Sequence, residues 1–182
     1  MSKYNKSKKE SLQSTLRRMI RKFDDPILKM VCSPVELNQK DEALRISDLM
    51  KKVLNTTELG VGLAAVQIGY PLCICVLRID PNKFKFQVLI NPTIVSYGEG
   101  KITTMEGCLS YPKFFCPVER WLDIKVSYLN EDFAKVEEDF HGFEARVVQH
   151  EVQHCQGMCL VGDYYRQTLK ASSEPNNVFT PY

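Results

Sequence analysis

Apolar side chains fall at helical spacing at Leu44, Ile46, Leu49, Met50, Val53 and Leu54, which predicts an amphipathic helix over residues 41–56. The stretch "WLDIKVSYLN" alternates instead. It places Leu122, Ile124, Val126 and Tyr128 on one face of a half-buried strand that ends in the "NED" turn, and residues 134–140 return as its hairpin partner. "LCICVLRID" (72–80) and "FQVLINPTIVSY" (86–97) also read as strands, the second bent at Pro92, which has no N–H to give to a ladder. "LGVGLAAVQIGYP" reads as a small-residue loop. "GFEARVVQHEVQHCQG" reads as a second helix, with Gly142 before it and Gly157 as its stop. Residues 10–22 suit a basic helix, and after Asp163 the chain turns polar. The expectation is a single α+β domain, with mixed or antiparallel strands around a central helix. Its parts are a basic N-terminal arm or helix (1–20), a globular body (21–165) and a polar C-terminal tail (166–182).

Composition narrows the class. A chain of 182 residues, 44% hydrophobic and 25% charged, suits one ordinary globular domain. No apolar run approaches the roughly 20 residues of a membrane-spanning helix. The N-terminus lacks the apolar core of a secretory signal. The seven cysteines show no disulfide-like spacing, so a reducing, cytoplasmic setting is expected. Net charge is +2 but uneven: residues 1–22 carry eight basic side chains against Glu10, or +7, leaving −5 for the rest. Such an arm suits either a frayed solvated segment, transient contact with an RNA surface such as the ribosome, or part of an organellar targeting peptide.

The chemistry concentrates in "QHEVQHCQGM" (Gln149–Met158). On a helix, His150 and His154 share a face and can offer imidazole nitrogens to one ion, with Glu151 beside it to take a proton from bound water. A bare H-E-x-x-H also arises by chance on a solvated helix. A catalytic site needs a third protein ligand and an open position. The metzincin extension requires a histidine at position 160, which is Leu160. A thermolysin-like site requires a downstream glutamate on a helix, and only Glu174, inside "SSEPNN", follows Glu151. His141 would have to fold back onto the helix. An upstream cysteine is the natural candidate. Cys73 and Cys75 read as core, Cys155 and Cys159 as packing, and Cys32 and Cys116 have no distinguishing context. Cys108, in "TTMEGCLSYP", sits in a loop where backbone can approach a ligand.

Three segments in order, "GVGLAAVQ" (Gly60–Gln67), "EGCLS" (Glu106–Ser110) and "QHEVQH" (Gln149–His154), resemble the motifs of the peptide deformylase family. With "DDPILKMVCSPV" upstream, the likeness covers about residues 20–163. The resemblance implies a metal-dependent hydrolase that removes the formyl group from N-formylmethionyl nascent chains. It implies Cys108, His150 and His154 as metal ligands and Glu151 as general acid/base. It implies Gln67 and the Leu109 backbone N–H as donors to the developing oxyanion. Gly60, Val61, Gly62, Phe143 and Val147 would meet the substrate, and a Glu106–Arg120 ion pair would brace the cysteine loop. The family generally uses Fe²⁺ in cells, with Zn²⁺, Ni²⁺ or Co²⁺ able to occupy the site. A monomer is expected.

The chain also departs from the family pattern. Gln153 stands where an aspartate is usual, Cys155 where a leucine is, and Lys113 where a glycine is. The long C-terminal helix of bacterial members is replaced by the expected short tail, as in shortened deformylases of some phage genomes. Two other readings compete. One is an endopeptidase. The other is a silent peptide-binding module with a structural metal, whose fourth ligand would be Cys155, His141 or Asp163.

Overall fold

The computed structural model describes residues 3–80 and 85–173. Its elements in order are α1 (Lys3–Arg18), α2 (Lys40–Leu54), β1 (Gly62–Ala64), β2 (Ile74–Asp80), β3 (Lys85–Tyr97), β4 (Lys101–Cys108), β5 (Tyr111–Trp121), β6 (Asp123–Leu129), β7 (Lys135–His141), α3 (Gly142–Cys155) and α4 (Leu160–Ser173), with short 3-10 turns between them. Five strands form one antiparallel sheet in the order β1-β2-β3-β6-β7, and β4 and β5 form a separate hairpin.

Strand alternation builds the core on both faces of the large sheet. Ile74 and Val76 of β2, with Val88 and Ile90 of β3, pack against Ile46, Met50, Val53 and Leu54 of α2. Cys75, Leu77 and Leu89, one position over, join Ile124, Val126, Tyr128 and Phe140 beneath Ala145, Val148, Val152 and Cys155 of α3. The near-continuous apolar run of β2 follows from this burial on both faces, whereas β6 alternates because one face alone is covered. Helix α3 therefore lies across the sheet with its opposite side free to face the β4–β5 hairpin.

The bend expected at Pro92 is present as a register shift between Ile90 and Thr93. Asn91 takes a left-handed φ of 53° there, and its side chain closes the gap by bonding the Val35 N–H (2.8 Å) and carbonyl (2.9 Å).

Three expectations are corrected. The small-residue loop contains strand β1, because Gly62, Leu63 and Ala64 pair with Leu77, Val76 and Cys75. The cysteine loop is the tight end of a long hairpin in which Cys108 pairs with Tyr111. Residues 164–173 continue α4 instead of forming a tail, and those from 174 on lie outside the described residues. Helix α4 packs along β4 and β5. Tyr165 anchors it against Phe23, Tyr111 and Phe114, with ring centroids 5.0, 5.7 and 5.1 Å apart. Edge-to-face aromatic packing of this kind favours a helix that its polar residues alone do not advertise. Among the described residues, no helix is long and apolar enough to cross a membrane.

Candidate metal centre and cleft

Helix α3 sets the two histidines one turn apart on the side turned away from the sheet core, with ring centroids 5.1 Å apart. His150 uses Nδ1 to meet Glu106 Oε2 at 3.3 Å, which leaves Nε2 for an ion. His154 is fully buried, with Nε2 3.3 Å from Cys108 Sγ. Burial holds the His154 pKa well below its ordinary value, so the ring is neutral, the form that ligates metal. Cys108 reaches this point from the end of β4. Gly107 before it leaves room for the Phe115 ring, which a Cβ there would meet at 2.7 Å.

Gln67, on the 3-10 turn after β1, projects into the same space. Its Oε1 accepts the Ala64 N–H at 2.9 Å, while Nε2 donates to Ser110 Oγ at 3.1 Å and approaches Cys108 Sγ at 3.4 Å. The Leu109 carbonyl accepts Lys22 Nζ at 3.0 Å, pinning the hairpin end to the N-terminal segment. Glu151 is buried, and its Oε2 has no hydrogen-bond partner. Burial pushes its carboxyl up to about 7, against the opposing pull of His150. A buried carboxyl titrating near neutrality beside imidazoles is an arrangement suited to proton transfer.

Behind the donors, Arg120 of β5 grips Glu106 of β4, and its remaining Nη1 donates to Gln153 Oε1 at 2.8 Å. The side chain found where the family pattern has aspartate is thus held by this arginine. Burial alone raises the Glu106 pKa, but hydrogen bonds from His150 and Arg120 bring it down to about 2, so the carboxylate stays charged. Lys113 adopts a left-handed φ of 66°, which explains why a glycine suits that position and marks local strain on the order of 1 kcal/mol.

A cleft of about 500 Å³ opens over these groups. Gly60, Val61, Gly62, Gln67, Leu109, Phe143, Val147, His150 and Glu151 all line it, together with Glu106 and Cys108. His154 and Arg120 lie behind its wall. A Cβ at Gly62 would run into the Glu151 carboxylate and reach 2.8 Å from Val147 Cγ1.

One group escaped the sequence reading. Cys159, in the link between α3 and α4, joins Cys108, His150 and His154 in a buried cluster whose four donor atoms lie within 4.8 Å of one another. Of the fourth-ligand candidates, Cys155 turns into the sheet core, its Sγ 3.6 Å from Cys75 Sγ. His141 pairs with Asp123 at 2.7 Å on the surface, and Asp163 pairs with Arg166. None of the three belongs to the cluster. Both Cys155 and Cys159 pack in cores as the sequence suggests, but in different ones, and Cys159 also lies beside the histidines. Position 155 is the last of α3, whereas the left-handed turn at Gly157 (φ 70°) swings residue 159 back toward the histidines.

Cysteine and histidine donors, beside a buried carboxyl at the floor of a cleft, suit one divalent ion. Together with the α+β frame they define the class of metal-dependent hydrolases. A profile of the polypeptide deformylase family matches residues 17–169. The peptide deformylase of Endomicrobium trichonymphae is 38% identical over 156 residues, which cover 85% of this chain and 90% of that one. The crystal structure of a probable peptide deformylase from Synechococcus phage S-SSM7 superposes with a TM-score of 0.74 at 33% identity, covering 80% of this chain and 97% of that one. That of the class I type b peptide deformylase from Acinetobacter baumannii, bound to Met-Ala-Ser, gives 0.71 at 32%, covering 78% and 94%. The chain belongs to the polypeptide deformylase family.

Proposed function

We propose that this chain hydrolyses the formyl amide of N-formylmethionyl nascent polypeptides, releasing formate and a free amino terminus. Cys108, His150 and His154 hold one divalent ion, Fe²⁺ in the cell, although the donor set suits Zn²⁺, Ni²⁺ or Co²⁺ as well. Bound there, the ion supplies Lewis acidity and lowers the pKa of water from 15.7 toward ~7. Glu151 takes the proton from the attacking water and returns it to the leaving amine. The Gln67 side-chain amide and the Leu109 backbone N–H donate to the oxyanion of the tetrahedral intermediate. Gly60, Val61 and Gly62 meet the peptide as an added strand, and Val61, Phe143 and Val147 take up the methionine side chain. Glu106, charged through Arg120, orients His150.

The observation that carries this reading is Glu151. It is buried and has an unpartnered oxygen beside three candidate ligands, a poor choice for a merely structural site. The substrate's place of origin makes the cytoplasm the working compartment, with the protein acting as a monomer. The basic N-terminal segment suits transient, salt-sensitive contact with ribosomal RNA. The reading is tested by formate release from formyl-Met-Ala-Ser with anaerobically Fe²⁺-loaded protein. Release by the unmodified enzyme and its loss in Glu151→Ala, with metal content unchanged, is expected. Absence of release from protein carrying one ion per chain would overturn it.

A further inference from the structure

Three of the four clustered donors are absorbed by the proposed reaction; Cys159 is not. Its sulfur is buried and lies within 4.8 Å of the donor atoms of Cys108, His150 and His154. Around one ion, with bonds of roughly 2.0–2.3 Å, tetrahedral donors stand about 3.3–3.8 Å apart. Cys108 Sγ and His154 Nε2 are already at 3.3 Å. The remaining separations, none above 4.8 Å, exceed the tetrahedral range by no more than about 1–1.5 Å.

The local backbone also fixes the direction of this sulfur. Cys159 immediately precedes α4, and the Gly162 N–H in the first turn of that helix donates to its sulfur. Such a capping contact satisfies an otherwise orphaned donor and holds the sulfur in place. Gly162 is fixed in turn, since a Cβ would run into the Tyr111 ring and hydroxyl. Cys159 lies with Cys108, Tyr111, Cys116, Val118 and Val161 in the small core under the hairpin, so its sulfur has little freedom to turn away.

Direction matters as much as distance. Cys108, His150 and Glu151 line the cleft, whereas His154 and Cys159 do not. A bond from Cys159 therefore comes from the protein side, and the cleft side stays open for water and the formyl oxygen.

We propose that Cys159 is a fourth protein ligand, so that this site grips its ion with two thiolates and two imidazoles and takes water or the formyl oxygen from the cleft as a fifth donor, in an expanded shell rather than a tetrahedral vacancy. The proposal rests on the ligand roles given above for Cys108, His150 and His154. A second thiolate makes the donor set softer and offsets the ion's full charge, which favours retention of a soft ion at the expense of Lewis acidity.

Cobalt substitution tests this without relying on turnover. Protein loaded anaerobically with Co²⁺ shows near-ultraviolet sulfur-to-cobalt absorption that grows with the number of bound thiolates. The band is expected to fall to about half in Cys159→Ser and in Cys159→Ala and to stay unchanged in Cys155→Ser, because each ligating thiolate contributes its own transition. Loss of cobalt to a chelator should be at least about tenfold faster in the Cys159 variants, since even removal of groups that only orient a ligand costs 10–100-fold in affinity. X-ray absorption of the unmodified cobalt protein should count two sulfurs, a readout independent of whether any variant folds. One sulfur, or a band indifferent to Cys159, overturns the proposal and leaves the three-ligand reading standing. Cobalt binding without any sulfur signal overturns both. Formate release by the unmodified iron protein separately decides the reaction.

Discussion

Arg120 and Glu106 meet across the β4–β5 hairpin in a two-pronged contact. Nε–H and Nη2–H of the guanidinium donate to the two carboxylate oxygens at 3.1 and 2.9 Å, with side chains only 2% and 7% exposed. A pair of this type on the surface contributes less than about 1 kcal/mol. Here the charges are out of water, and Glu106 also receives His150. Truncation of the arginine leaves that carboxylate buried without its main partner. Arg120→Met is expected to destabilise the fold by about 3–5 kcal/mol in urea unfolding, with the metal site loosened as well. A loss below about 1 kcal/mol would mean that Glu106 simply protonates and the brace is dispensable.

Gln67 holds the end of β1 and the cysteine turn together while aiming its amide at the cleft. Gln67→Leu should reduce kcat for formate release by about 10²–10³, with a much smaller change in KM, as expected for a donor used mainly in the transition state. It also strands the Ala64 N–H, so a stability loss of about 1–3 kcal/mol should accompany the kinetic one. Unchanged kcat would reduce Gln67 to a structural tie.

Gly62 stands against the Glu151 carboxylate. Gly62→Ala forces that carboxylate or Val147 to move, and the damage should be kinetic before it is structural. We expect formate release to drop by on the order of 10²-fold, in line with misplacement of a reacting group by about an ångström. Urea and thermal unfolding should change little. Full activity would show that the base is not confined by β1.

On the β3–β6–β7 part of the sheet, the Tyr128 hydroxyl donates to Glu138 Oε2 at 2.6 Å while Gln87 Nε2 donates to the Tyr128 hydroxyl oxygen and to Glu138 Oε2. Burial and the carboxylate beside it push the Tyr128 phenol up to about 12. A group whose pKa is raised on folding stabilises the fold fully below its unfolded value, near 10, and loses that contribution as pH rises through the folded one. Unfolding free energy should therefore fall between about pH 10 and 12 by more in the unmodified protein than in Tyr128→Phe. Parallel pH profiles for the two would contradict the assignment.

Much of this architecture was legible from periodicity. Helices α2 and α3 and strands β2, β3, β6 and β7 follow directly from spacing, because each buries a face that repeats at its own period. Where the reading failed, tertiary contacts decided the outcome. Gly62–Ala64 has no strand pattern of its own and is a strand because β2 offers an edge. Helix α4 places Val161, Tyr165 and Leu169 at intervals of four, a helical signal hidden among polar neighbours; its stabilising rings are Phe23, Tyr111 and Phe114, remote in sequence. Cys108, His150 and His154 come together as the motifs implied. Cys159 could not be read from spacing, since it depends on the direction the chain takes after Gly157.

The candidate ligands also join parts of the chain that share no covalent tie. Among the described residues every cysteine is a free thiol, so the turn carrying Cys108 and the helix carrying His150 are held by packing and hydrogen bonds, with no disulfide between them. An ion seated between them would act as a removable rivet, closing a long loop of polymer and raising the free energy needed to open it. The same covalent chain then exists as two materials of different topology. Its resistance to proteolysis would track the supply of a trace element as closely as its chemistry does, and digestion rates with and without chelator would measure the difference.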